Sequence, residues 1–346
     1  MISLFITKAL SIYITLIVLL VVLVAALCFM LYLGYIKKIY SKIFKRPAPM
    51  PKVDRSPNKL DQSTTYGRGR NWFYSSRNEY INVRIDSFDK TKLSGYYRPS
   101  RDRSTRFAVL LMHGYNEHPT EMAAYARLLM HQIECHVLIA HERAHLMSGG
   151  SNCTYGVYES VDATRWIDFL KQQIGPDVKI FIVGRGMGAV ASLLAAEQPS
   201  LQSGIAGIIA DSPFDSFENL LLSEGRKRYN MDLKFPIRTI DKLMSKNLKF
   251  DLSKLNCAEN ANLIRVPVLM IAGGEDDICT PEAVRKIYDN IFVPKRLVVI
   301  DHSKHLMCYN DAPSTYEKEV RKWYFKCRTG ISVASILYNG DLFVCP

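Results

Sequence analysis

The order of apolar and polar residues divides this chain into distinct stretches. From Ala9 to Ile36 almost every position is apolar, broken only by Ser11, Thr15 and Gly34. That run exceeds the roughly 20 residues a helix needs to cross a bilayer, and it predicts a spanning helix. From Lys45 the sequence "KRPAPMPKVDRSPNKLDQSTTYGRGR" loses all periodicity and is rich in Pro, Lys, Ser and Gly, which predicts a tether. Beyond Trp72, short apolar runs recur: "INVRI", "KLSGYY", "FAVLLM", "HVLIA", "KIFIV", "IAGIIA", "PVLMIA" and "RLVVI". Several of the later ones are continuously apolar, as strands buried on both faces must be.

Helical periodicity fills the gaps. "PTEMAAYARLLMHQ" puts Met122, Tyr125 and Leu129 on one face, "SVDATRWIDFLKQQ" aligns Ala163, Ile167 and Leu170, and "STYEKEVRKWYFK" aligns Tyr316, Val320 and Trp323. Two early strands suited to a hairpin, followed by alternating strands and helices, predict an α/β fold with a mostly parallel sheet covered on both faces. Between Phe214 and Leu263 no strand pattern occurs, only helical segments such as "PIRTIDKLMSKNL", which suits a lid inserted over the strand ends. The expected organisation is a transmembrane anchor over 1–36, a basic linker over 37–71, a folded domain over 72–326 with its lid at about 214–263, and a tail over 327–346.

Composition sharpens this picture in a few respects. The chain has 346 residues, enough for one large α/β domain beside the anchor. No small-x-small cleavage site follows the apolar run, so the anchor is expected to stay attached. Lys8 precedes the span, whereas Lys37, Lys38, Lys42, Lys45 and Arg46 follow it. Basic residues stay on the cytoplasmic side, so the main domain is expected in the cytoplasm, with Tyr32, Tyr35 and Tyr40 at the inner interface. The net charge of +12 is concentrated between Lys37 and Arg77 without a nucleic-acid-binding fold around it. The lipid bilayer is therefore the expected partner and nucleic acid is not, the basic stretch serving either as an attraction for anionic headgroups or as a solvated topology signal. The cysteines are scattered through a large domain, which predicts reduced thiols. No metal or cofactor is expected.

Several motifs stand at chemically suggestive places: "LLMHGYNEHPTEMAAYARLL", "GRGMGA", "ADSPFDS", "GGEDDICTP" and "HSKHLMCYNDAPSTYEKEVRKWY". Together they resemble the α/β-hydrolase superfamily, and within it the membrane-anchored bacterial serine hydrolases of serine-aminopeptidase type, over about Trp72 to Lys326. The resemblance implies an α/β-hydrolase fold, an elbow turn carrying the nucleophile, and a triad completed by an acid and then a histidine. On that pattern Asp277 takes the acid position from its spacing to Pro281, with Asp276 and Glu275 as rivals. His305 takes the base position, with His302 as runner-up. The backbone N–H groups of Tyr115, after His113 and Gly114, and of Met187, after the elbow, would form the oxyanion hole.

The elbow departs from the pattern, because Gly186 stands where the nucleophilic serine is expected. No acyl-enzyme can form on glycine. Cys279 and Cys308 lie near the acid and the histidine in sequence but not at the elbow, and Ser212 follows a strand end, so none is expected to replace it. A second departure is "AHERAHLMSGG". It keeps Arg143, His145 and Ser148 of the family's P-D-x-R-G-H-G-x-S turn but has His141, Ala144 and Leu146 in place of an aspartate and two glycines. Leu146 is expected to forbid some glycine backbone shapes. The tail "CRTGISVASILYNGDLFVCP", with "NG" as a hairpin turn, has a Cys327, Gly340, Cys345 spacing resembling the opening of a SPASM iron–sulfur motif. Two thiolates are too few for a cluster, and a terminal hairpin is expected.

These readings leave three functions open. A pseudo-hydrolase would bind an acyl or peptide-like ligand or a protein partner. A residual hydrolase would let the Asp277–His305 pair activate water. A scaffold would only present the lid and the tail.

Overall fold

The computed structural model describes residues 2–47, 62–229 and 233–328. Helix α1 (Ile2–Phe44) leads into α2 (Thr65–Ser75), the strands β1 (Ile81–Asp86), β2 (Lys92–Arg98) and β3 (Phe107–Met112), then α3 (Ala123–Gln132) and β4 (His136–Ala140). There follow α4 (Val157–Ile174), β5 (Lys179–Arg185), α5 (Met187–Ala196), the short α6 (Pro199–Gln202) and β6 (Ile205–Asp211). Then come α7 (Phe217–Tyr229), α8 (Lys234–Leu248), the short α9 (Cys257–Asn260), β7 (Val268–Gly273) and α10 (Pro281–Asp289). The chain continues with β8 (Lys295–Ile300), the short α11 (Cys308–Asp311) and α12 (Pro313–Arg328).

The strands form one 8-stranded sheet in the order β1-β2-β4-β3-β5-β6-β7-β8. β1 and β2 pair antiparallel, β2 pairs antiparallel with β4, and every later pairing is parallel. All eight apolar runs of the sequence are strands. The continuously apolar ones, β3 to β7, lie inside the sheet, where helices cover both faces. One apolar layer gathers α4, α5, α7 and α8, with Trp166, Ile167, Val190 and Met244 buried. The other gathers α2, α3 and α12, with Phe73, Tyr125, Tyr316 and Trp323 buried. No named strand falls between Asp211 and Val268, where α7, α8 and α9 form a helical excursion above the strand ends.

The structure corrects the expected linker at both ends. The helix does not stop at Ile36. It runs on to Phe44, and Ile36, Tyr40 and Phe44, each one turn further along, are buried in the domain core. Phe44 packs against Tyr155 and Phe217 with ring centroids 5.9 and 5.6 Å away. Tyr155 donates its hydroxyl to the Ile43 carbonyl at 2.9 Å. Three aromatic and aliphatic side chains at four-residue spacing override the Lys-rich composition that suggested a tether. At the other end, Thr64 caps α2 by accepting from the Gly67 N–H, so the folded part begins before Trp72. Residues 48–61 of the linker, and the tail from residue 329 with Gly340 and Cys345, lie outside the described residues.

The drifted turn after β4 grips the end of this helix. Arg46 donates to the carbonyls of Ser148 at 2.8 Å and Leu146 at 2.6 Å, and its backbone N–H reaches Ser151 at 2.8 Å. Ala144 and Leu146 take φ values of +59° and +39°. The replaced glycines have therefore not changed the backbone's left-handed shape, contrary to the expectation for Leu146. The bond of the Ala144 N–H to the Gly149 carbonyl at 2.7 Å and that of Arg46 to the Leu146 carbonyl hold the strain. Arg143 is buried and clasps Asp162 with Nε and Nη2, both at 2.7 Å, while Nη1 reaches Asp89 at 3.0 Å.

Candidate active site

β5 ends at Arg185 and α5 begins at Met187, so one residue makes the turn between them. Gly186 does so at φ +54° and ψ −115°, a conformation that costs glycine little. The turn is tight because Gly188 presses on β3: a Cβ there would lie 2.2 Å from the Met112 carbonyl oxygen. Gly186 itself has room. A Cβ would meet Leu306 Cδ2 at 3.4 Å, Leu306 Cδ1 at 3.7 Å and Gly114 Cα at 3.8 Å, all ordinary contacts. The side chain of Leu306 therefore lies directly beside the turn.

The loops after β7 and β8 bring an acid to a histidine. His305 Nδ1 lies 2.8 Å from Asp276 Oδ2, and the Asp276 side chain is fully buried. Its other oxygen accepts the N–H groups of Ile278 at 2.9 Å and Cys279 at 2.8 Å, which fixes the carboxylate in place. Asp277, favoured on spacing, points away. Its side chain is 75% exposed and pairs with Lys227 at 3.5 Å. The spacing to Pro281 could not resolve a one-residue difference, whereas the turn that opens α10 directs only Asp276 inward. Glu275 pairs with His302 at 2.9 Å on the surface, away from His305.

Tyr115, Gly186, Met187 and His305 all line one cavity of about 620 Å³. Tyr115 stacks on Tyr155 with centroids 5.0 Å apart. The turn that carries it is tied down by Glu117, whose Oε2 accepts the Gly114 N–H at 2.9 Å. His113 is buried beneath, where desolvation holds its imidazole neutral. Cys279 lines the cavity too, but burial pushes its thiol well above the ordinary range, and Cys308 is pushed up by the same cause. Neither offers a thiolate. Ser212 is buried and donates to Asp211 Oδ1 at 3.1 Å, so it belongs to the core network rather than to the cavity. Cys327, on α12, sits by Gly207 of β6, far in the sheet from the strand ends that build the site.

Sequence patterns missed the group that joins these loops. Arg185, the residue before the elbow glycine, is buried, forms an ion pair with Glu117 Oε1 at 2.9 Å and donates to the Leu306 carbonyl at 2.7 Å. Its guanidinium lies 4.3 Å from the centroid of the Tyr66 ring. Beside it, Asp211 accepts the hydroxyls of Tyr125 at 3.0 Å and Tyr316 at 2.9 Å. An arginine in an apolar elbow motif was the one available signal, since a buried cation requires partners.

His141 is a second residue whose place only the fold reveals. It packs edge-on to Tyr96 with centroids 4.5 Å apart, and among the described residues neither ring nitrogen has a hydrogen-bond partner. Burial lowers its pKa to about 3. The unfolded chain takes up this proton near pH 6.5 and the folded chain resists until about 3, so stability falls as the pH falls through that window. His141→Phe is expected to lessen the acid loss by about 1.4 kcal/mol per pH unit between pH 6 and 4. Chemical denaturation at several pH values measures it, and an unchanged slope refutes it.

The eight-stranded topology, the elbow between β5 and α5, and the histidine after β8 define the α/β-hydrolase fold. A family model described as acetyl xylan esterase (AXE1) matches residues 157–326. The chain is 28% identical over 232 residues to the uncharacterized Bacillus subtilis (strain 168) protein YqkD, covering 67% of this chain and 74% of that one. It is 26% identical over 225 residues to the Mycobacterium tuberculosis (strain H37Rv) protein Rv2307c, covering 64% and 71%. Among solved structures, the Pyrococcus furiosus esterase Pf2001 superposes with a TM-score of 0.57 at 23% identity, over 72% of this chain and 93% of that one. Est1E from Butyrivibrio proteoclasticus, a structure with ferulic acid bound, gives 0.54 at 17% identity, over 71% and 99%.

Proposed function

We propose that this protein is a membrane-anchored pseudo-hydrolase that binds an acyl or peptide-like ligand in the cavity beside Gly186 and does not cleave it by serine chemistry. The observation that carries this reading is Gly186 itself: the turn between β5 and α5 is made by a residue with no side chain, beside the apolar side chain of Leu306. The N–H groups of Tyr115 and Met187 would receive a carbonyl or carboxylate oxygen, as donors aimed at developing charge do in active relatives of this fold. His305, oriented by Asp276 through Nδ1, would present Nε2 to the same ligand. The esterases among the similar structures support an acyl ligand. The apolar exterior of α1, whose 18-residue core is 0% buried, supports the anchor.

A second reading keeps some activity, because the His305–Asp276 bond at 2.8 Å is the geometry of a general base. Water beside Gly186 could then attack an ester directly. Treatment with a fluorophosphonate probe, together with turnover of short aryl esters, separates the two. The pseudo-hydrolase predicts no covalent adduct and turnover indistinguishable from His305→Ala. Turnover that disappears in His305→Ala supports water activation, and a wild-type adduct would overturn both.

A further inference from the structure

The cavity beside Gly186 is not closed by the α/β domain alone. Tyr35, Ile39 and Ile43 of α1, each one helical turn apart, form part of its wall, and Lys38 and Lys42 line it from the adjoining stripe. Tyr35 belongs to the apolar run that ends at Ile36, so the wall begins within the last turn of the span. At 1.5 Å per residue, the whole α1 contribution lies within about 12 Å of that point, which is the depth of a headgroup layer beside a bilayer core. The helix cannot swing the domain away, because Ile36, Tyr40 and Phe44 are buried in the core and Arg46 is tied to the turn after β4.

The remaining lining is apolar where the lid contributes: Phe214, Phe217, Leu220, Leu221 and Leu233. Its carboxylates are Glu117 and Glu224, of which Glu117 is neutralised by Arg185. Lys38 and Lys42 form no ion pair among the described residues. A slot with an apolar interior and two ammonium groups where it meets the bilayer fits one shape of ligand. We propose that the cavity takes a single-chain anionic amphiphile directly from the leaflet bordering Tyr35 and Lys38, its chain among Phe217, Leu220 and Leu221 and its anionic head at Lys38 and Lys42 instead of at the N–H groups of Tyr115 and Met187, which are left for a ligand with a separate carbonyl. This rests on the reading of α1 as a membrane anchor and of the cavity as a binding site, and it names the ligand class and the route.

The test uses the full chain in lipid nanodiscs containing a palmitic acid with a photoreactive diazirine on its chain. Crosslinks mapped by mass spectrometry are expected on α7 and on Ile39 or Ile43, and Leu221→Trp, which fills the slot, is expected to abolish those on α7. Lys38→Gln and Lys42→Gln are each expected to weaken α7 labelling roughly fivefold, the equivalent of about 1 kcal/mol per lysine near an anionic surface. Labelling by a neutral monoacylglycerol carrying the same diazirine should be unaffected by either lysine variant. Crosslinks confined to the lipid-facing residues of α1 and indifferent to Leu221→Trp overturn this inference alone. A chain that alkaline carbonate washes off membranes overturns the anchor reading and this inference with it. A wild-type fluorophosphonate adduct would refute the pseudo-hydrolase reading and leave the ligand class standing.

Discussion

Gly186→Ser combined with Leu306→Gly is expected to give a site that a fluorophosphonate modifies stoichiometrically, whereas the wild type stays unlabelled. The backbone at residue 186 already has the φ of +54° and ψ of −115° in which the turn holds its residue. A serine there pays about 1–3 kcal/mol of local strain, which the surrounding sheet and helix can hold. Its Cβ meets no backbone atom closer than Gly114 Cα at 3.8 Å. The nearest side chain is Leu306, whose methyl groups would sit 3.4 and 3.7 Å from that Cβ and are expected to crowd the hydroxyl. Leu306 has a φ of +61°, a conformation in which glycine is the relaxed residue, so Leu306→Gly should remove the crowding and relieve strain together. Gly186→Ser alone is expected to label slowly and the double variant fast. His305→Ala in the double background should abolish labelling, since the histidine removes the proton from the hydroxyl. Intact-mass measurement reads each adduct. A double variant that folds, shown by its circular dichroism and melting curve, and still resists the probe would show that His305 and Asp276 are not a working pair.

Arg185→Leu is expected to cost about 3–5 kcal/mol of stability, because one buried cation serves the loop of Glu117, the loop of Leu306 and the ring of Tyr66 together. Removing it leaves the Glu117 carboxylate without its cation, while the Leu306 carbonyl keeps only the Tyr66 hydroxyl at 2.9 Å. The melting temperature should fall by roughly 6–20 °C for a domain of this size. The double variant Arg185→Leu with Glu117→Leu should recover part of the loss, since replacing both members of a buried pair by apolar groups is far cheaper than orphaning one. Thermal unfolding of the four proteins in the cycle measures this, and an additive double variant would refute the pairing. The arginine orders the oxyanion-side turn and the histidine loop about the elbow, so the single variant should also loosen hydrogen exchange at 305–307 well before global unfolding.

Much of the fold was legible in the sequence because it is carried by local periodicity. Runs such as "FAVLLM" and "KIFIV" have no polar face and can lie only inside a covered sheet, and they form β3 and β5. The elbow was legible for the same reason, since a strand, a glycine-rich turn and a small-residue helix leave one geometry for Gly186. The acid was not. Asp276 and Asp277 are adjacent and chemically identical, and the choice between them depends on which one the turn before α10 directs inward against His305. Nor did periodicity reveal α1's continuation, because lysines at positions 37, 38, 42 and 45 mask the stripe of Ile36, Tyr40 and Phe44.

The sequence by itself determined which segments must be buried, where the chain turns, and that the elbow carries no reactive atom, because these follow from side-chain chemistry at short range. Tertiary structure alone decided which carboxylate meets His305, that Leu306 lies beside Gly186, and that the end of α1 forms a wall of the cavity. Each of those is a contact between residues far apart in the chain, set by the packing of loops and helices over the sheet and invisible to any local pattern.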